Sequence, residues 1–172
     1  NSSGRAFVLE TVRSVLSETE ATWLKWDFNI DPGRGCERTD HGHGAEDGLF
    51  AHVLNLYVLL DQLRSEFPNT IFENCSSGGL RWDLGIAAHF DLGFASDPDW
   101  PEHALTCRWA SSLFFPPEQQ LGWCNSEWRG DHPQQLLRKD RELQRSQVEL
   151  LMAVSMLGGL GISQKLCDWL PA

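Results

Sequence analysis

The chain has 172 residues, the size of one ordinary domain with a single apolar core. Hydrophobic residues make up 41% of it and charged residues 22%, which excludes a disordered or fibrous chain. The formal net charge of −10 leaves no basic surplus for displacing counterions from phosphate, which argues against a nucleic-acid partner. No stretch approaches the roughly 20 apolar residues that span a bilayer, so no membrane association is expected.

The first half of the chain predicts a helix, a strand and a longer helix in turn. Apolar residues at helical spacing predict a helix over residues 2–20, and residues 21–28 follow as a short aromatic strand. Residues 30–48 combine five glycines with many charges, which is typical of a long irregular loop. The strongest apolar stripe in the sequence then predicts a helix over residues 47–66.

The second half repeats the order of strand, loop and helix. Predicted strands and helices alternate over residues 70–75, 84–89, 92–95, 102–113, 121–124, 133–156 and 159–162. Short apolar strands separated by helices favour parallel pairing and the α/β class. The pattern predicts a (β/α)8 TIM-barrel type of fold, present here as a partial barrel of about strands 4 to 8, because a whole barrel takes about 250 residues.

The sequence begins without an initiator Met, so we expect residues 1–172 to be the carboxyl-terminal part of a longer barrel domain. The five cysteines are an odd, widely spaced set without a CxxC pair: Cys36, Cys75, Cys107, Cys124 and Cys167. Such a set predicts reduced thiols rather than a disulfide framework, and it favours a cytoplasmic location.

Acidic residues follow three of the predicted strands, where barrel active groups collect. They are Asp27 after the first strand, Glu73 at the end of the second, and Asp97 with Asp99 after the third. Two carboxylates from different strands, beside aromatic residues and without a metal motif, favour glycoside cleavage. In that chemistry one carboxylate attacks the anomeric carbon and the other protonates the leaving oxygen.

Three segments in order carry a resemblance to a known family: KWDFN over residues 25–29, FENCSSGGLRWDLG over 72–85, and SDPD over 96–99. They resemble the catalytic region of the α-galactosidases (melibiases) of glycoside hydrolase family 36, over roughly residues 21–128. The resemblance implies a retaining hydrolase that removes terminal α-galactosyl residues from oligosaccharides or glycoconjugates. It implies Asp27 as the nucleophile and Asp97 as the acid/base.

The same resemblance implies substrate-binding residues. Lys25 corresponds to a lysine that hydrogen-bonds galactose hydroxyls, and Cys75 and Gly78 belong to a segment that lines the sugar pocket. Trp26 and Asn29, in the first motif, are the remaining predicted substrate contacts, the tryptophan by stacking on a sugar face. Lys25 and Asp27 lie two residues apart on one strand face, so the lysine is expected to favour the ionised carboxylate.

Several alternatives stay open. A shifted register would make Asp99 the acid/base, although Ser96 anchors the match to Asp97. An α-N-acetylgalactosaminidase of the same family, or a non-catalytic carbohydrate-binding pseudo-enzyme, would share these motifs. The family's other galactose-binding residues lie upstream of Asn1, so we expect the isolated piece to be inactive. The resemblance implies no cofactor, and a homo-oligomer of the full-length enzyme is a further expectation.

His41 and His43 lie in the glycine-rich loop with Cys36 and Asp40 nearby. Together they could ligate a metal, but the spacing matches no standard site, so no metal is predicted. The corresponding alternative, a metal-dependent enzyme, would lose activity to a chelator.

Eight tryptophans against one tyrosine suggest flat ligands. Of these, Trp23 and Trp109 are predicted in the core and Trp123 nearer the mouth of the barrel. Arg81 and Asp83 are predicted to form a structural pair. Glu127 and Trp128, after the fourth strand, are further candidates near the mouth.

Overall fold

The computed structural model of the protein describes residues 2–97, 101–126 and 144–163. In these ranges the helices are α1 (Ser2–Thr19), α2 (Gly48–Glu66), α3 (Leu84–Ala87), α4 (Pro101–Ser111) and α5 (Arg145–Ser155). The strands are β1 (Trp23–Asp27), β2 (Ile71–Cys75), β3 (Leu92–Phe94), β4 (Gln120–Ser126) and β5 (Gly159–Ser163). The predicted elements are confirmed to within a few residues, except that the first part of the predicted helix over 133–156 lies outside the described residues.

The five strands form one parallel sheet in the order β1-β2-β3-β4-β5. Each strand therefore pairs with the next strand along the chain. This sequential order is that of a (β/α)8 barrel, whereas a doubly wound sheet reverses its strand order at a switch point. In the first pair, Lys25 is the partner of Glu73 and Asp27 is the partner of Cys75.

The outer face of the sheet packs against the helices. Phe72 of β2 and Leu60 and Leu63 of α2 are completely buried there, because the apolar stripe of α2 turns toward the sheet. The buried members of this outer cluster are Leu9, Leu16, Leu59, Leu60, Leu63, Phe72, Ile86 and Phe90. Each large apolar side chain buried in this way stabilises the fold by roughly 1.5–3 kcal/mol.

The inner face of the sheet is the side on which Lys25, Asp27, Glu73 and Cys75 lie, since side chains alternate along a strand. A second buried cluster on this face joins β2, β3 and β4. Its members are Cys75, Leu92, Phe94 and Leu121, with Trp123 packed against them.

Two tryptophans predicted in the core lie elsewhere, so that prediction is wrong. Trp23 is 45% exposed because it belongs to the inner face, beyond the edge of the inner cluster. Trp109 is 67% exposed on α4. Trp123, predicted near the mouth, packs on Phe94 with the ring centroids 4.7 Å apart.

No disulfide joins the four cysteines of the described ranges, Cys36, Cys75, Cys107 and Cys124. Among the helices of those ranges, none combines the length and apolar character needed to cross a membrane.

Candidate active site

Strand β1 divides its functional candidates between the two faces of the sheet. Lys25 and Asp27 lie on the inner face, whereas Trp26 turns to the outer face and packs against the helix-side cluster. The alternation of side chains along a strand thus separates Trp26 from the other predicted substrate contacts. The structure brings Lys25 and Asp27 together with β2, and it does not bring Trp26 into this group.

Asp27 lies directly beside Cys75 at the carboxyl ends of β1 and β2. Asp27 and Cys75 are direct neighbours in the parallel register, so the charge of Asp27 and the backbone N–H of Gly78 both act on the Cys75 thiol. The pKa of Cys75 is raised to about 11, chiefly by burial, and the negative charge of Asp27 acts in the same direction. At neutral pH the thiol is therefore protonated.

The loop after β2 is tied to the segment that follows Asp27. The Asn29 Oδ1 atom accepts a hydrogen bond of 2.6 Å from the Ser77 backbone N–H, and the Ser76 hydroxyl donates to the Phe28 carbonyl. Ser77 has φ 43° and Gly78 has φ 77°, so the chain turns sharply through the left-handed region. Asn29, a predicted substrate contact, holds this turn in place.

The turn at Gly78 also contacts the chain that follows β3. A Cβ atom on Gly78 would lie 3.0 Å from Ser96 Cα and 3.4 Å from the Asp97 backbone nitrogen. Asp27 is thus linked to the backbone at Asp97 by its sheet neighbour Cys75 and by the turn that follows Cys75. Asp97 itself is half-buried.

Lys25 pairs across the strands with Glu73. Its Nζ atom lies 3.5 Å from Glu73 Oε1, and it stands 4.4 Å from the centre of the Phe94 ring and 5.3 Å from that of Trp123. The 3.5 Å separation is that of an ion pair rather than a hydrogen bond, since Oε1 has no hydrogen-bond partner among the residues that the structure describes. Among the described residues the ion-pair partner of Lys25 is thus Glu73.

Glu73 also belongs to the site, but the sequence alone did not show that it pairs with Lys25 of β1. It is only 3% exposed, and its Oε2 atom accepts a hydrogen bond of 2.8 Å from Trp23 Nε1–H. The signal that would have found this pairing is the parallel register, which places Lys25 and Glu73 side by side.

Arg81 is structural, as predicted, but its partner is not Asp83. Its guanidinium donates to Asn74 Oδ1 and to the carbonyls of Trp26 and Cys75, which joins the ends of β1 and β2. Asp83 instead caps α3, where its carboxylate accepts from two backbone N–H groups at 2.7 and 3.0 Å. An N-terminal cap satisfies donors that the helix itself leaves unpaired, and this accounts for the different partner.

The loop after β1 brings Cys36, His41 and His43 within 4.8 Å of one another. Asp99, Glu127 and Trp128, the remaining candidates near the mouth, lie outside the described residues.

The sequence model of the family described as Melibiase matches residues 1–169. The chain belongs to the melibiase family. This confirms the resemblance seen in its three motifs.

Curated relatives of this melibiase-family chain include two named α-galactosidases. It is 33% identical over 112 residues to α-galactosidase 2 of Hypocrea jecorina, a match that covers 64% of the chain and 14% of that protein. It is 35% identical over 104 residues to an α-galactosidase of Escherichia coli, covering 60% of the chain and 14% of the relative. The matches thus span about a seventh of these relatives.

Solved structures of the same family share the fold of the melibiase-family chain. The GH36 α-galactosidase AgaB of Geobacillus stearothermophilus superposes with a TM-score of 0.82 and 21% identity, covering 98% of the chain and 22% of AgaB. The α-galactosidase of Lactobacillus brevis superposes with a TM-score of 0.78 and 20% identity, covering 97% and 21%. The predicted partial (β/α)8 barrel is thereby confirmed.

Proposed function

We propose that this chain carries the two catalytic carboxylates of a retaining α-galactosidase and forms the carboxyl-terminal part of its barrel. The observation that carries the proposal is that Asp27 lies beside Cys75 in the sheet, while the turn at Gly78 that follows Cys75 lies against the backbone at Ser96 and Asp97. This arrangement occurs at the carboxyl ends of parallel strands, where barrel enzymes hold their active groups. The names of the relatives, α-galactosidases, support the substrate class.

In the first step, the Asp27 carboxylate attacks the anomeric carbon of the galactosyl unit. Asp97 gives its proton to the glycosidic oxygen, which leaves with the aglycone, and a galactosyl ester of Asp27 remains. In this proposal the neighbouring Cys75 thiol, protonated at neutral pH, helps to hold the Asp27 carboxylate in its orientation toward the sugar. Holding a reacting group in one orientation removes part of the entropic barrier.

In the second step, Asp97 takes a proton from a water molecule. That water attacks the anomeric carbon, the ester bond to Asp27 breaks, and galactose leaves with its configuration retained. Lys25 is assigned to the sugar hydroxyls, and Asn29 and Gly78 to the turn that shapes the pocket. Trp26 is left out of the pocket because it packs on the outer face of the sheet.

The experiment compares Asp27→Ala and Asp97→Ala in the full-length protein, with a nitrophenyl α-galactoside and an α-galactosyl oligosaccharide as substrates. We expect kcat to fall by about 10⁴-fold or more in Asp27→Ala with both substrates. In Asp97→Ala we expect a loss of about 10²–10⁴-fold with the oligosaccharide, and a smaller loss with nitrophenol, which leaves without a general acid.

The matched control is Asp31→Ala, which removes an exposed carboxylate from the loop that follows Asp27 and should leave kcat unchanged. Turnover by Asp27→Ala at the wild-type rate would overturn the proposal. A parallel assay with the nitrophenyl α-N-acetylgalactosaminide separates the two activities that share these motifs.

A further inference from the structure

Three metal-binding side chains converge in the loop between β1 and α2. The Cys36 Sγ atom lies 3.3 Å from His41 Nε2, which lies 3.2 Å from His43 Nε2. All three atoms lie within 4.8 Å of one another. Around a tetrahedral zinc ion, bond lengths of about 2.0–2.3 Å place neighbouring nitrogen and sulfur ligands about 3.3–3.6 Å apart. Two of the three separations, Cys36 to His41 and His41 to His43, come within a few tenths of an ångström of this geometry, and the third pair lies within 4.8 Å.

The opposite ring nitrogens of both histidines are held by acceptors. His41 Nδ1 lies 2.9 Å from the Asp40 carboxylate, and His43 Nδ1 lies 2.7 Å from the Gly44 carbonyl. Carboxylate and carbonyl oxygens only accept hydrogen bonds, so each Nδ1 carries the proton. In the neutral rings, both Nε2 lone pairs are then directed into the group. Histidines that bind metals show this same outer hydrogen bond to a carboxylate or carbonyl.

Two lone pairs facing each other at 3.2 Å repel unless a positive charge lies between them. The Cys36 thiol can give its hydrogen to His41, but this leaves the contact of His41 with His43 without a proton. A divalent ion satisfies all three atoms at once, since it binds both lone pairs and takes the cysteine as its thiolate.

The backbone fixes the cysteine in its place. A Cβ atom on Gly48 would lie 2.1 Å from the Cys36 carbonyl oxygen, and one on Gly35 would lie 2.3 Å from the Leu49 nitrogen. Only glycines permit this close approach of the loop to the first turn of α2. The loop borders a cavity of about 650 Å³, which leaves room for a fourth ligand such as water.

We propose that Cys36, His41 and His43 form a zinc site that fastens the loop after β1 to the start of α2. One thiolate and two imidazoles suit zinc by ligand type, whereas magnesium and calcium prefer oxygen ligands. The zinc site does not depend on the proposed glycosidase function, because it uses none of the residues assigned to that chemistry.

The test uses the full-length protein expressed without a histidine tag and freed of metal with a chelator. Zinc is titrated in competition with a chromophoric chelator, and cobalt(II) is added as a spectroscopic probe. We expect one zinc per chain at the loop. We also expect a thiolate-to-cobalt charge-transfer band, together with the intense visible bands of tetrahedral cobalt.

Single variants identify the ligands. We expect zinc binding to weaken by about 100-fold or more in each of the ligand variants Cys36→Ser, His41→Gln and His43→Gln. Asp40→Ala removes the acceptor of the His41 Nδ1 hydrogen bond and should weaken zinc binding by about 10–100-fold. The matched control is Cys107→Ser, because Cys107 also contacts a histidine, at 3.3 Å, in a different part of the molecule. That variant should bind zinc as the wild type does.

The proposal is overturned if the wild type binds no zinc, if cobalt shows no charge-transfer band, or if the ligand variants bind as tightly as Cys107→Ser. The proposal is also overturned if a pH titration shows that His41 and His43 share a proton and the protein has no affinity for the metal. Circular dichroism checks the folding of each variant, and the cobalt spectrum of the wild type decides the question for any variant that fails to fold.

Discussion

Glu73 holds two side chains of β1 at the same time. One carboxylate oxygen accepts from Trp23 Nε1–H, and the other lies beside the Lys25 ammonium, while the carboxylate itself is buried. A buried acid is tolerated only when such partners compensate its charge. The Lys25 ammonium is therefore positioned by the Glu73 carboxylate and by the rings of Phe94 and Trp123.

We expect Glu73→Ala to lower the free energy of unfolding by about 1–3 kcal/mol, because Trp23 loses its hydrogen-bond acceptor and Lys25 its counter-charge. Urea unfolding of the full-length protein measures the change. The control Glu10→Ala removes a largely exposed acid of α1 and should change stability by less than about 0.5 kcal/mol. Equal effects of the two substitutions would show that Glu73 has no special role.

The Cys75 thiol predicts a pH dependence of stability. Its pKa rises from the ordinary 9.0 to about 11 in the folded protein, first through burial. Between these values the unfolded chain loses a proton that the folded chain keeps, so stability falls as pH rises through this window. We expect the free energy of unfolding to fall less steeply with pH in Cys75→Ser, with a difference in slope that corresponds to at most one proton. Urea midpoints at several pH values from 8 to about 11 measure it. Identical slopes in both proteins would contradict the assignment.

At the scale of single elements, the loop after β2 positions more of the site than any helix does. It contains the left-handed residues Ser77 and Gly78, receives the Asn29 side chain, and rests on the backbone at Asp97. The short helix α3 follows it and begins at the cap provided by Asp83.

We expect Gly78→Ala to reduce activity strongly. An alanine at φ 77° costs roughly 1–2 kcal/mol, and its methyl group would also press on Ser96 Cα at 3.0 Å and displace Asp97. The control is Gly33→Ala, which has φ 53° but open space around the added Cβ atom. Because both variants place an alanine at positive φ, the ratio of their kcat values measures the effect of the steric contact with Ser96 alone. Equal losses of kcat in both variants would contradict a role for that contact.

Asp83→Ala should destabilise the protein by about 1 kcal/mol, since the N-terminal cap of α3 is lost. Asp83→Asn keeps an acceptor oxygen and should cost less. Thermal unfolding of both variants checks this order, and a reversed order would show that the carboxylate charge rather than its capping matters.

The elements themselves could be predicted because their signals are local. The apolar stripe of α2 and the short aromatic run of β1 repeat at the spacing of a helix and of a strand. The pairing of Lys25 with Glu73 could not be predicted from the sequence, because it depends on the register between two segments that lie about fifty residues apart. The grouping of Cys36 with His41 and His43 follows the path of an irregular loop, and no periodicity encodes such a path.

At the scale of the whole molecule, the sheet is open. In the described residues, β1 pairs only with β2 and β5 only with β4, so both outer strands have an unpaired edge. The inner face beside β1 is correspondingly exposed, as Trp23 shows. Unpaired strand edges tend to pair with other chains.

We expect the isolated 172-residue chain to be inactive and to self-associate, because the described residues leave both sheet edges and part of the inner face uncovered. Size-exclusion chromatography measures the association, and a nitrophenyl α-galactoside assay measures turnover. Turnover by a monomeric, purified chain of this length would refute the expectation.

The alternation along β1 restricts how this strand can change in evolution. Inserting or deleting one residue within β1 ahead of Lys25 would move every following side chain of the strand to the opposite face of the sheet. Lys25 and Asp27 would then face the helices, and Trp26 would lie on the inner face. Exchanging a side chain in β1 leaves the two faces as they are, whereas a change in the length of the strand would take Lys25 and Asp27 off the inner face.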